Sequence, residues 1–205
     1  MSSEAGLFVI AAPSGAGKTT LVKALVDRNP DLKFSISYTT REKRVNEIEG
    51  KDYFFVSKSE FEELKEKGEL LESAIVFDNH YGTSRTQVEE HLASGHHVIL
   101  EIDWQGAQQV RHSKPDCISI FILPPSRDEL ERRLRDRKTD SEAVIDRRLR
   151  DALGDMSHWR EFDYVIVNDE LDTAVGELES VFDGRAEANS VRNETLTSCI
   201  EAIVP

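Results

Sequence analysis

Cysteine is nearly missing from this chain. Two occur in 205 residues, Cys117 and Cys199, and neither has a neighbour at a spacing that builds a disulfide framework or a thiolate metal site. Long apolar runs are missing as well, since none approaches the roughly 20 residues that span a bilayer. The opening "MSSEAGLFVIAAPSG" has only a short apolar run and lacks the basic flank of a secretory leader. These absences predict a cytoplasmic protein without a membrane partner. Positive charge is in deficit: 26 Lys and Arg stand against 39 Asp and Glu, a formal net charge of −13. That balance disfavours a general nucleic-acid binder. The six histidines form no H-E-x-x-H or other catalytic pairing, so no general base stands out. No internal repeat and no low-complexity tract interrupts the sequence.

The residues that are present suit a globular fold, at 39% hydrophobic and 32% charged, in a chain long enough for one core with smaller additions. Short apolar runs at "GLFVIAA", "HHVILEID", "CISIFIL" and "YVIVND" read as buried strands. Helical patterns at "KTTLVKALVDRN", "TSRTQVEEHLASG" and "DELERRLRDR" separate them. That alternation predicts an α/β fold whose mostly parallel sheet is covered on both faces, a three-layer core. Two stretches break the alternation. Residues 36–90 hold short strands and turns around one helix near "KSEFEELKEKG", and residues 126–153 are long, polar and helical. The predicted division is therefore a core of 1–35, 91–125 and 154–205 with two insertions. For 184–205 a docked final helix and a mobile end both fit.

The stretch "VIAAPSGAGKTTLVKAL" carries the main chemical signal. Residues 12–19 fit G-x-x-x-x-G-K-[ST] except that Ala12 takes the first glycine position. In such a loop, Ala12, Pro13, Ser14, Gly15, Ala16 and Gly17 wrap the phosphates, with backbone N–H groups turned inward (Pro13 has none to give) and the glycines permitting the turn. Lys18 reaches the β and γ phosphates, Thr19 offers a hydroxyl to Mg²⁺, and Thr20 opens a helix whose N-terminus favours anions. The motif implies a nucleoside triphosphate but not its use, because GTPases, ATPases and small-molecule kinases share it. A second phosphate-attracting feature is local: residues 127–150 hold nine basic and seven acidic residues, net +2 in a strongly negative chain. Arg132, Arg135 and Arg147 read there as solvated ion pairs. Asp103 follows a buried strand as a Walker-B acid does, and either supports Mg²⁺ through water or makes a structural hydrogen bond. Trp104 and Phe121 read as core.

After the loop come "SYTTR", "GKDYFFV", "HYGT", "EIDWQGA", "PPS…EL..RL" and "VIVND", in one order from about residue 6 to residue 183. Taken together these segments resemble guanylate kinase, which phosphorylates GMP with ATP. The resemblance implies a P-loop core, a GMP-binding module at 36–90 and a lid at 126–153. It implies that Arg41, Arg44, Tyr53 and Tyr81 hold the GMP phosphate and that Ser37, Glu72 and Thr83 read the guanine. It places Arg133, Arg137 and Arg148 in the lid as arginines that stabilise the transferring group, with Lys18, and puts Asn168 near the ATP adenine. Glu101 stands where the family often has Asp, and its reach toward the base edge or a metal-bound water is left open. The implied substrates are ATP with Mg²⁺ and GMP or dGMP; oligomeric state is not implied.

The residue chemistry agrees with that pattern. Guanidinium forks grip phosphate by paired hydrogen bonds, and tyrosine hydroxyls complete the cradle. Guanine presents two donors, N1–H and the exocyclic amino group, which an ionised Glu72 accepts together, while Thr83 can donate to O6. Adenine mismatches both. Leaving such groups unpaired costs about 1–3 kcal/mol each. No base is needed, because a phosphate monoester has its second pKa at about 6 and is a largely deprotonated nucleophile near neutrality. A rival reading is a non-catalytic guanylate-kinase-like module that binds phosphoproteins, but such modules lose the ATP loop, whose Gly15, Gly17, Lys18 and Thr19 are all present here. Another acceptor, a different nucleotide or a sugar phosphate, is disfavoured by Glu72 and Thr83.

Overall fold

A computed structural model of the chain describes residues 5–76, 78–136 and 142–204. Its elements begin with β1 (Leu7–Ala11), α1 (Lys18–Arg28), β2 (Lys33–Phe34), β3 (Ser37–Thr39), β4 (Phe54–Phe55) and α2 (Lys58–Glu66). Then come β5 (Leu70–Val76), β6 (Asn79–Ser84), α3 (Arg85–Ala93), β7 (Val98–Glu101), α4 (Trp104–Ser113) and β8 (Ile118–Leu123). The chain continues through α5 (Arg127–Arg135), α6 (Glu142–Met156), β9 (Tyr164–Val167), α7 (Leu171–Phe182) and α8 (Glu194–Glu201). Short 3₁₀ turns lie at Ser157–Glu161 and Glu187–Asn189. Among the described residues no helix is long and apolar enough to cross a membrane.

The five-stranded sheet has the order β2-β7-β1-β8-β9. Its β2–β7 and β8–β9 pairs are parallel, as the alternation of strands and helices predicts. The chain divides into two units, Ile10–Pro30 with Ile118–Pro205 and Glu4–Val9 with Asp31–Cys117, so β1 contributes residues to each.

In the first unit "ISIFIL" is buried from Ser119 through Leu123, on both faces, which is why it reads as a continuous apolar run rather than an alternating one. Phe121 is fully buried, its ring 4.9 Å from that of Phe162. The stripe Ala174, Val175, Leu178, Val181 and Phe182 buries one face of α7, and Arg28 at the end of α1 pairs with Asp172 at its start. Helix α8 is docked. Ile200 of α8 is fully buried, Arg160 pairs with Glu201, and the Val191 N–H donates to the Asp163 carbonyl at 3.1 Å. Polar residues 126–153 form α5 and α6, with 137–141 outside the described residues.

In the second unit a separate four-stranded sheet has the order β4-β3-β6-β5. Strand β6 is antiparallel to both neighbours, and β3 and β4 are parallel. The helix after "GKDYFFVS" starts at a capping box: Ser57 accepts from the Glu60 N–H while Glu60 accepts from the Ser57 N–H. Ser84 caps α3, and Gly95, at φ +81°, ends it as "LASG" suggests. Trp104 departs from expectation: it is half-exposed, because as the first residue of α4 it precedes the helix's buried positions, Gly106, Ala107 and Val110.

Replacing Phe121 by Ala should lower unfolding free energy by about 3–5 kcal/mol, through lost transfer energy and the cavity left beside Phe162. Urea unfolding measures this, with the midpoint falling and the slope unchanged.

Candidate active site

In the first unit the loop of residues 12–17 joins the end of β1 to the start of α1. Gly15 and Gly17 have φ of +93° and +89°, whereas among the described non-glycine residues only Asp78 has a positive φ. Ala12 therefore occupies ordinary backbone and does not disturb the loop. A methyl group on Gly15 would come within 2.9 Å of Leu130, and one on Gly17 within 2.5 Å of the Asn168 Nδ2. Both positions need glycine for space as well as for backbone angle. Helix α1 begins at Lys18, two residues before Thr20, so Lys18, Thr19 and Thr20 all lie in its first turn.

The Ala16 carbonyl is the anchor of this loop. It accepts from Asn168 Nδ2 at 2.7 Å and from Arg133 Nη1 at 3.3 Å. Arg133 also donates from Nη2 to the Asn168 carbonyl at 3.0 Å and from Nε to Glu129 Oε1 at 2.7 Å. Hydrogen bonds from Arg132 and Arg133 hold the Glu129 carboxyl down at about 2. Arg133, Asn168 and the loop thus come together, with the Asn168 amide spent on backbone. Arg148 lies half-exposed in α6, and Arg137 lies outside the described residues. Arg132, Arg135 and Arg147 pair with Glu129 and Asp136, with Glu131 and Glu142, and with Asp151, as expected of solvated ion pairs.

In the second unit the strand register aligns the predicted base readers. Ser37 of β3 lies opposite Thr83 of β6, which lies opposite Glu72 of β5, so one row across three strands carries all three. Residues opposite one another in a ladder share a face. Glu72 is 4% exposed and Thr83 is 1% exposed, and the Thr83 hydroxyl donates to Glu72 Oε1 at 2.6 Å. Its proton is therefore committed to the carboxylate, where the sequence reading directs it to guanine O6. Two residues along, Thr39 lies opposite Tyr81, and the ring of Tyr53 stands 5.9 Å from that of Tyr81. Arg41 lies over Tyr53 and Phe55, at 5.4 and 5.8 Å from the ring centres. Burial, with the charge of Glu101 at the end of β7, pushes the Tyr53 hydroxyl up to about 12. Arg44, by contrast, has its side chain 66% exposed, with Nη1 3.8 Å from Glu47 Oε1. Asp103 caps α4, accepting from the Gly106 N–H at 2.9 Å. It belongs to the second unit and Thr19 to the first.

Known proteins resemble this chain in sequence and fold. The profile of the guanylate kinase family matches residues 4–185. The chain is 57% identical to a guanylate kinase of Methylococcus capsulatus over 85% of its own length and 86% of the relative's. It is 51% identical to a guanylate kinase of Escherichia coli strain K12, over 85% and 86%. In the crystal structure of guanylate kinase from Anaplasma phagocytophilum, 32% identical, the fold superposes with a TM-score of 0.76, covering 98% of this chain and 96% of that one. The chain belongs to the guanylate kinase family.

Within this member of the guanylate kinase family, the sequence reading misses Glu47. Its Oε1 and Oε2 accept from Arg41 Nη2 and Nη1 at 2.7 and 3.1 Å, and Oε2 also accepts from the Arg44 N–H at 2.8 Å. Both side chains of the pair are about 15% exposed. A carboxylate six residues after an arginine in a polar loop carries no sequence signal of its own, since neither residue lies on a regular element. Thr39 is missed as well: its buried hydroxyl donates to the His80 carbonyl at 3.1 Å and accepts from the Arg41 N–H at 3.2 Å, fixing where the arginine loop departs from β3.

Burial opposes the charge on Glu47, but the hydrogen bonds from Arg41 and the Arg44 N–H outweigh it and leave the carboxyl below its ordinary value. Stability from this clasp is complete above the ordinary glutamate value of about 4.3 and is lost as pH falls through the lower folded value. Glu47→Gln should therefore be less stable than the parent at pH 7, with the gap narrowing by about pH 3. Equal gaps in urea midpoint at the two pH values would mean the clasp contributes nothing.

Proposed function

We infer that the chain transfers the γ-phosphoryl group of ATP to GMP, and to dGMP, giving ADP and GDP or dGDP. The observation carrying this reading is the row of Ser37, Thr83 and Glu72, a buried hydroxyl-fixed carboxylate in a module beside an arginine–tyrosine cluster. A carboxylate that already accepts from Thr83 keeps lone pairs for the N1–H and amino group of guanine, and presents only acceptors to the bare N1 of adenine. Arg41, Tyr53 and Tyr81, with Arg44, form the phosphate cradle, and Glu101 joins the acceptor side. Within the proposed core of 1–35, 91–125 and 154–205, the loop 12–17 holds the triphosphate and Lys18 neutralises its terminal phosphates. Asn168 holds the loop and lies on the adenine side. Residues 36–90 are the GMP-binding module and 126–153 the lid, which supplies Arg133, Arg137 and Arg148.

No group needs to remove a proton from the acceptor, whose second ionisation lies at about 6. The residues therefore align two anions and neutralise the charge that builds between them. Closure of the lid excludes water, which would otherwise consume the γ-phosphate. Mg²⁺ travels with the triphosphate and adds charge neutralisation there. The Thr19 hydroxyl, a hard oxygen donor in the first turn of α1, suits it, with Asp103 acting through water. Among the described residues no group of three or more His, Cys, Asp or Glu forms a dedicated cage, as fits an ion that keeps phosphate and water ligands. A cytoplasmic location goes with these substrates.

A coupled assay across GMP, dGMP, AMP, UMP and dTMP tests the reading. GMP and dGMP should be strongly preferred, and comparable rates with AMP would overturn it. Glu72→Gln should raise KM for GMP by roughly 10- to 100-fold, the range expected for unpaired buried donors, with KM for ATP little changed. Lys18→Ala should lower kcat by about 10²-fold or more while GMP still binds, as calorimetry can check.

A further inference from the structure

Strand β5 is an edge strand, and it carries Glu72. An edge leaves alternate backbone N–H and C=O groups without a strand to pair with. At Ser73, the residue after Glu72, one side chain closes this gap: Gln109 Oε1 accepts from the Ser73 N–H at 3.1 Å, and Gln109 Nε2 donates to the Ser73 carbonyl at 2.8 Å. The primary amide reproduces the pairing that a neighbouring peptide group would make. Gln109 lies on α4 three residues after Gly106, which is itself three after the cap Asp103, so the three share one helical face. Gly106 faces Glu72 directly. A methyl group there would lie 2.5 Å from Glu72 Oε2 and 3.1 Å from Asp103 Oδ1.

Glu72 is thus seated from two directions. Thr83 fixes Oε1 from within the sheet, while α4 meets the strand from its open edge through a glycine opposite Oε2 and an amide clamp one residue on. We propose that Gln109 is a positioning residue for base selection, setting the depth at which β5 presents Glu72, with Gly106 as the space that this depth requires. The proposal rests on the assignment of Glu72 as the guanine reader. Loosening the clamp should damage recognition of the guanine amino group more than it damages phosphate capture, because Arg41, Tyr53 and Tyr81 lie on other segments. Inosine monophosphate keeps N1–H and lacks that amino group, so it separates the two effects.

The test is steady-state kinetics of the full chain with GMP, inosine monophosphate and ATP varied in turn. Gln109→Met keeps side-chain length and removes both hydrogen bonds. It should raise KM for GMP about tenfold, leave KM for ATP within twofold, and lower the preference for GMP over inosine monophosphate at least threefold. Gly106→Ala should shift the same ratio in the same direction. If Gly106→Ala fails to fold, Gln109→Met carries the test alone. Equal losses with both acceptors, or an unchanged KM for GMP, would overturn the positioning role while leaving the kinase reading intact. A parent chain that does not use GMP would overturn both.

Discussion

A carboxyl group on an edge strand, 4% exposed, is the constraint around which the second unit is arranged. An ionised group out of water is tolerable only where donors surround it. The Thr83 hydroxyl supplies one at 2.6 Å, and the register that puts Thr83 opposite Glu72 also puts Ser37 opposite Thr83. The same row explains the small residues nearby. Gly82 has the Glu72 carbonyl 3.1 Å from where a Cβ would stand, and Gly106 has the carboxylate at 2.5 Å. A carboxylate so held presents acceptors, which suits the base with two donors that we propose it reads.

The first unit meets the opposite problem, a proposed anion site in a chain of net charge −13. The loop's conformation comes from two left-handed glycines and from a single carbonyl, that of Ala16, gripped by Asn168 and Arg133. Glu129 takes the Arg133 Nε and so divides that guanidinium between a carboxylate and two carbonyls. The arginine that the family pattern assigns to the transferring phosphate is, in this structure, a tie between α5 and the loop.

Much of this was legible in the residues. The apolar runs gave the parallel strands because both faces of such strands are buried, and Gly15, Gly17 and Lys18 marked the loop because only glycine tolerates those angles and contacts. Helix α4 was not legible: "WQGAQQVRHS" has a glycine at its third position and few apolar residues, and it forms because Asp103 caps it and Ala107 and Val110 are buried. Missing that helix hid Gln109 and Gly106. The pairing of Glu72 with Thr83 was also hidden, since the register shifts between Leu70 and Glu72 and no pattern in "ELLESAIV" announces an irregular step. Helix α8 buries chiefly Ile200, too narrow a stripe to separate a docked end from a mobile one.

The ionisation shifts in the proposed acceptor cradle all point away from neutrality. Arg41 is raised, because pairing with Glu47 and Tyr81 outweighs its burial; Tyr53 is pushed up to about 12; and Glu47 is lowered. Near neutral pH each of these three groups therefore keeps one protonation state. In that window the phosphate of the proposed acceptor does titrate, gaining a proton below about pH 6. Acidity would then slow turnover by changing the cargo rather than the machine, and the acid limb of the rate profile would carry the substrate's constant as its signature.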